Sequence, residues 1–270
     1  MKSVETEARA MLGVAAAESR SLRRSVRGRL VSALLAGFVV VLFGLYANLH
    51  GHAQALLPTS YLAPRFLVYE LGIYPLWLAL VAVVCLAIDS ERRDTTAGVA
   101  DAVDSRPLSN FALRAGRLIG TVATVWIPLV LGFVVIQIVG AITAPPARFN
   151  FEAVEPVSLA TFLVLDALPV LVLWCSVVML LASWLPSKLV VGLVSLIVLA
   201  VATSIVSNSP VYLLQALSPV SVRGFASDLA PRTADVWVLG QRASIIVFAV
   251  GLLALASVFG RRTDVVRPVR

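Results

Sequence analysis

Residues 88–117 read IDSERRDTTAGVADAVDSRPLSNFALRAGR and lie between two long apolar runs. The stretch holds five acids (Asp89, Glu91, Asp94, Asp101, Asp104) and five arginines (Arg92, Arg93, Arg106, Arg114, Arg117). A charge costs about 2.5–3.5 kcal/mol at the centre of a membrane helix, so ten of them cannot sit in hydrocarbon. The stretch therefore reads as a structured water-side loop joining two membrane spans. Its zero net charge argues against a polybasic lipid clamp, which needs an excess of Lys or Arg.

Working outward, the 270 residues are 59% hydrophobic, with mean hydropathy +0.93. A soluble domain is nearer 45–50% apolar. The apolar residues fall in blocks of about 18–25, the length that carries a helix across a ~30 Å core. The fold class is an all-α polytopic membrane protein, a single transmembrane domain over 1–270. Six spans are expected, at about 30–49, 66–88, 118–142, 158–182, 189–206 and 242–259. The net charge of +7 follows topology and is not a nucleic-acid footprint. Cys85 and Cys175 both lie in apolar runs and read as small hydrophobes.

Residues 1–29 are basic. Arg20, Arg23, Arg24 and Arg27 share one helical face, while Leu12, Ala15, Leu22 and Val26 line another. This pattern predicts an N-terminal interfacial amphipathic helix. The apolar run after it is too long for a cleaved signal peptide. His50 and His52 lack a third ligand for a metal. Tyr46, Tyr61, Tyr69 and Tyr74 fit an interfacial aromatic belt. Pro75 and Pro128 fall inside spans, where neighbouring helices can satisfy the freed carbonyls. Residues 207–241 are cut by Pro210, Pro219 and Pro231 but keep apolar pieces, which predicts short re-entrant outer helices between spans five and six.

The N-terminus, the central loop, the turn at 183–188 and the C-terminal tail carry 17 of the 22 Lys and Arg. The positive-inside rule places those segments, and both termini, in the cytoplasm. Within the central loop, Val99, Ala100 and Val103 suggest a short amphipathic helix over about 91–104. Arg106-Pro107 ends it. Ser109 or Asn110 can cap a new helix that carries Phe111, Leu113 and Arg117 into span three.

Three pieces of this loop, Glu91-Arg-Arg-Asp-Thr-Thr, Ser105-Arg-Pro-Leu-Ser and Gly116-Arg-Leu-Ile-Gly, resemble the cytoplasmic loop of ABC-2 type transporter permeases. Arg117 stands where that family more often has Lys, and the gap from Thr96 to Pro107 is longer than its simplest pattern. The basic leading helix, six spans and broken outer segment match the family in layout. The resemblance implies a permease subunit of an ATP-driven exporter in a cytoplasmic (inner) membrane, pairing with a second permease copy. It implies a cytoplasmic coupling helix between spans two and three that meets a separate P-loop ATP-binding subunit. On that reading Glu91, Arg92, Arg93, Asp94, Arg106 and Pro107 do the coupling. The chain itself is then not an enzyme and binds no cofactor; ATP and Mg belong to the partner. No G-x-x-x-x-G-K-[ST] phosphate loop occurs in the 270 residues.

Two other readings use other residues. Asp101 and Asp104 form a D-x-x-D that would serve a membrane enzyme by holding Mg²⁺ against a diphosphate; the bland reading is two solvated charges on a helix face. Asp166, inside span four and three residues before Pro169, would serve an ion-coupled secondary transporter or the substrate path. The bland reading of Asp166 is an acid near a water-filled vestibule, or a carboxylate paired with a donor on a neighbouring helix. Gly37, Gly44, Gly132, Gly192 and Ser195 read as close-packing positions.

Overall fold

A computed structural model of the chain describes residues 2–56, 64–97, 108–143, 156–185, 187–207 and 236–259. Every regular element among them is helical: α1 (Lys2–Arg24), α2 (Val26–Leu56), α3 (Pro64–Ala97), α4 (Asn110–Thr143), α5 (Pro156–Thr161), a π-helical turn (Phe162–Ala167), α6 (Leu168–Trp184), α7 (Lys188–Ser207) and α8 (Val236–Phe259). Five are long and apolar enough to cross a membrane, over Val26–Leu45, Leu71–Arg93, Asn110–Val139, Leu159–Trp184 and Val238–Phe259. The apolar part of α7, Lys188–Ala202, is shorter. Many large apolar side chains point outward, among them Leu189, Leu193, Val247 and Ile142. Outward apolar faces suit lipid as the surrounding solvent.

Several helices run past the bounds that the apolar runs suggest. α2 continues to Leu56, so His50 and His52 belong to a helix and not to the following loop. α3 continues to Ala97, so Glu91–Ala97 prolongs span two and does not begin a separate helix; the rest of that expected helix, 98–104, lies outside the described residues. α4 starts at Asn110, well before the apolar run. The Ser109 hydroxyl accepts the Ala112 N–H at 3.1 Å, and the Ser109 carbonyl accepts the Leu113 N–H at 3.0 Å. That is the N-cap expected from its position. α8 starts at Val236, which takes Val236-Trp-Val-Leu out of the outer segment and puts Arg242 within a helix. The remaining outer residues, 208–235, lie outside the described set.

The leading helix also departs from expectation. α1 ends at Arg24, and Ser25 interrupts it before α2. The Ser25 hydroxyl donates to the Leu22 carbonyl at 2.6 Å and accepts the Gly28 N–H at 3.0 Å. A Cβ on Gly28 would fall 1.9 Å from the Leu22 carbonyl oxygen, so only glycine fits this bend. The break shifts the helical phase, and Arg27 no longer continues the face of Arg20, Arg23 and Arg24. Leu12 and Val26, expected on the apolar face, are exposed; Ala15, Glu18 and Leu22 are the buried stripe.

That stripe packs on the base of α4. A Cβ on Gly116 would lie 2.7 Å from the Met11 carbonyl oxygen, and one on Gly120 2.7 Å from the Ala15 carbonyl oxygen. Glycines four residues apart form a groove on one face of α4 that admits the α1 backbone. Gly132 does the same for α2, with Val39 Cβ 3.0 Å from its notional Cβ. Gly37 and Gly44 meet nothing among the described residues, so no packing role within them is seen. Gly192 makes only an ordinary contact, with Ile88. The centre of the bundle is α3 against α6, filled by Leu80, Leu86, Leu171 and Met179. Edge-to-face rings of Phe43, Phe133 and Phe162, at 5.5 and 5.7 Å, tie α2, α4 and the π turn together.

Filling the α4 groove tests this packing. Gly120→Val should destabilise the chain by about 1–3 kcal/mol, as overpacking does. It should also speed maleimide labelling of a cysteine placed at Ala15, in a background lacking Cys85 and Cys175. An unchanged labelling rate would mean that α1 does not rest on Gly120.

Candidate functional site

Two sets of buried charge stand out. The first lies where α3 leaves its apolar run. A helix of 34 residues is about 51 Å long at 1.5 Å per residue, well over the ~30 Å of a hydrocarbon core. The excess of α3 carries Glu91, Arg92 and Arg93. Successive residues on a helix point about 100° apart, and these three reach three different neighbours. Glu91 pairs with Arg114 of α4 at 3.5 Å, with side chains only 7% and 11% exposed. Arg114 Nη1 also donates to the Ala256 carbonyl, in the last turn of α8, at 2.6 Å. Arg92 donates to the Ala182 carbonyl at 3.0 Å and to the Leu185 carbonyl. It thereby caps the C-terminal end of α6, whose last carbonyls have no partner within the helix. Arg93 pairs with Glu18 of α1 and donates to the Ser21 hydroxyl. One turn earlier, Asp89 accepts Arg27 Nη1 of α2 at 2.5 Å.

The end of α3 is therefore a hub. Within little more than one helical turn, from Asp89 to Arg93, it holds α1, α2, α4, α6 and, by way of Arg114, α8. Of the six residues expected to couple to a partner, Glu91, Arg92 and Arg93 turn their charged ends inward onto this chain. Asp94 lies in α3, but its side chain, Arg106 and Pro107 are outside the described residues, as are Asp101 and Asp104. The Ser109 hydroxyl also reaches Glu7, so the start of α4 is fastened to α1 at a second point.

The second set is within the bundle. Pro169, the second residue of α6, has no N–H and its ring crowds the preceding turn. The chain widens there into the π turn, with the Leu168 N–H bonded to the Leu163 carbonyl. Trp126 Nε1 of α4 donates to that same carbonyl at 2.9 Å. Such single widened turns favour functional positions, and this one carries Asp166. Asp166 and Arg242 of α8 are both almost wholly buried, and Arg242 Nη2 stands 2.7 Å from Asp166 Oδ1. The approach is close, but its angles are not those of a hydrogen bond: both Asp166 oxygens and Arg242 Nε and Nη1 are without hydrogen-bond partners. Asp166 is thus the paired carboxylate of the bland reading, and its partner is a residue that the sequence placed merely at the start of a span.

Among the described residues no group of three or more His, Cys, Asp or Glu could hold a metal ion. Cys85 and Cys175 are free thiols. Glu18, Arg114 and Arg242 are the site residues that sequence reasoning missed. The available signal was that each sits in or beside an apolar helix, where a lone charge must find a partner. No family model and no curated protein matches this chain.

Breaking a buried ion pair from one side leaves a bare charge and costs about 3–5 kcal/mol. Asp166→Leu and Arg242→Met alone should each lower the unfolding midpoint sharply. The double variant should recover most of the loss, because replacing both partners with apolar groups is often neutral. Additive losses would refute the pairing.

Proposed function

We propose that the chain is the permease subunit of an ATP-driven ABC exporter in a cytoplasmic membrane, with both termini cytoplasmic. On this reading α7, 20 residues or about 30 Å long, is a further crossing, which brings the spans to six. A separate P-loop subunit binds and hydrolyses ATP with Mg, and a second permease copy completes the path. The observation that carries the proposal is the hub at Glu91-Arg92-Arg93. α3 is one continuous helix from the span to Ala97, so a push delivered at its charged end enters the span directly. Charge pairs then pass it to α1, α4 and α6 together.

The coupling role divides accordingly. Asp94, Arg106 and Pro107 are the positions offered to the ATPase. Glu91, Arg92 and Arg93 transmit its movement. α3 and α4 tilt as a braced pair, and the path between two permease copies opens or closes. Asp166 lines or braces that path through its ion pair with Arg242 of α8. Its arginine partner favours this over a coupling-ion site, since a carboxylate already neutralised by an arginine has less to gain from a cation.

Purification of the tagged chain from its own membranes should bring down a P-loop ATPase. Glu91→Ala combined with Arg92→Ala should keep the complex together and its ATP hydrolysis measurable, while cutting ATP-driven flux about tenfold or more, the effect of losing roughly 1.4 kcal/mol of transmitted energy. Flux that needs no ATPase, or full coupling in the double variant, would overturn the reading.

A further inference from the structure

The bend between α1 and α2, the end of α3 and the start of α7 enclose a cleft of about 500 Å³. Arg27, Arg93 and Lys188 line it, with the hydroxyl-bearing Ser21 and Ser25 and a single acid, Asp89. The chain assembles these charges from three separate helices, α2, α3 and α7. Two of the cations are already paired, Arg27 with Asp89 and Arg93 with Glu18. Lys188 is exposed and has no ionic partner among the described residues. The bond from Arg27 to Asp89 occupies one of five N–H donors on a guanidinium that is 73% exposed.

The position of the cleft is as telling as its charge. The apolar stretch of α2 begins at Val26, that of α3 ends at Arg93, and that of α7 begins at Lys188. Three apolar helices thus change to polar at one level, the level at which lipid phosphates lie. The apolar surface continues away from the cleft on both sides. Leu30 and Leu34 of α2 and Leu189 and Leu193 of α7 are all exposed, a track suited to acyl chains. Leu22 and Val26 form the apolar floor.

We propose that this cleft binds the phosphate headgroup of an anionic phospholipid. Lys188 and the outer face of Arg27 take the phosphate oxygens, the Ser21 hydroxyl, which accepts from Arg93 and keeps its own hydrogen to donate, faces the headgroup, and the acyl chains follow α2 and α7. The site is independent of the ATP-driven reading and needs only that these helices lie in a membrane. Occupied, it would fasten α7 to the α1–α2 bend, elements that no ion pair among the described residues joins directly.

Native mass spectrometry of the full chain in mild detergent tests this, with dioleoylphosphatidylglycerol and dioleoylphosphatidylcholine titrated separately. One phosphatidylglycerol should be retained per chain, in preference to phosphatidylcholine. Lys188→Gln should weaken that binding about fivefold, the factor expected for one basic group at an anionic lipid. Arg20→Gln, on α1 but outside the cleft, should change it less than about twofold. Glycerol phosphate without acyl chains should bind far more weakly than the lipid. Equal retention of the two lipids, an Arg20→Gln loss as large as that of Lys188→Gln, or an unaffected Lys188→Gln would overturn the site. Glycerol phosphate binding as tightly as the lipid would overturn the lipid as its occupant.

Discussion

Hydrocarbon and packed apolar side chains offer a charge nothing to bond to, and that scarcity shapes this molecule. Each described charge that enters the bundle is met by an opposite charge or by a helix-end carbonyl. Glu18 meets Arg93, Glu91 meets Arg114, Arg92 meets the end of α6, and Asp166 meets Arg242. Such pairs add little net stability over apolar side chains of similar size. Their value lies in direction. A leucine tolerates many neighbours, whereas Glu91 is satisfied by a cation on one side of α3 alone. The pairs therefore set which helices lie side by side and at what height, while the apolar core of α3 and α6 supplies the adhesion.

The same economy governs close approach. Apolar helices in a membrane gain little from burying more apolar surface, so contact is improved where side chains are small. Gly116 and Gly120 let α1 settle on α4, and Gly132 lets α2 lie along it. α4 thus receives two helices on glycine faces and a third, α3, through the Glu91–Arg114 pair. The π turn adds one more contact, since the Leu163 carbonyl, which already accepts the Leu168 N–H, also accepts the Trp126 indole N–H.

Much of this was legible in the residues. The long apolar runs located the helices, Ser109 was one of the two residues expected to cap α4, and Asp166 stood out as an acid inside span four. What stayed hidden is specific. The charged end of α3 looked like a water-side loop because so many charges cannot sit in hydrocarbon; Asp89, Glu91, Arg92 and Arg93 are met one by one from other helices, and the helix continues to Ala97. Glu18 looked like one more polar residue of an amphipathic helix, since nothing local says that Arg93, 75 positions on, will neutralise it. Arg242 looked like the polar boundary of a span, because the helix start at Val236 was masked by an apolar outer segment. Pairing across helices is a property of the packed bundle, and periodicity along one helix cannot express it. The expected coupling helix over about 91–104 and the outer segment 207–241 are described only in part: Glu91–Ala97 belongs to α3 and the residues from Val236 onward belong to α8, while 98–104 and 208–235 lie outside the described residues.

The seat of α1 also imposes an order on assembly. Ala15 is made early, whereas its groove at Gly116 and Gly120 follows roughly a hundred residues later, ~5–20 s of synthesis at common ribosome rates of about 5–20 residues per second. Through that interval Ala15 and Leu22 lack their seat on α4, and Glu18 lacks Arg93 for the first 75 residues made after it. An amphipathic helix with an unpartnered apolar stripe belongs at a lipid surface. The seating of α1 is therefore a late step of biogenesis, in which a helix first held by lipid is taken up by the protein made after it.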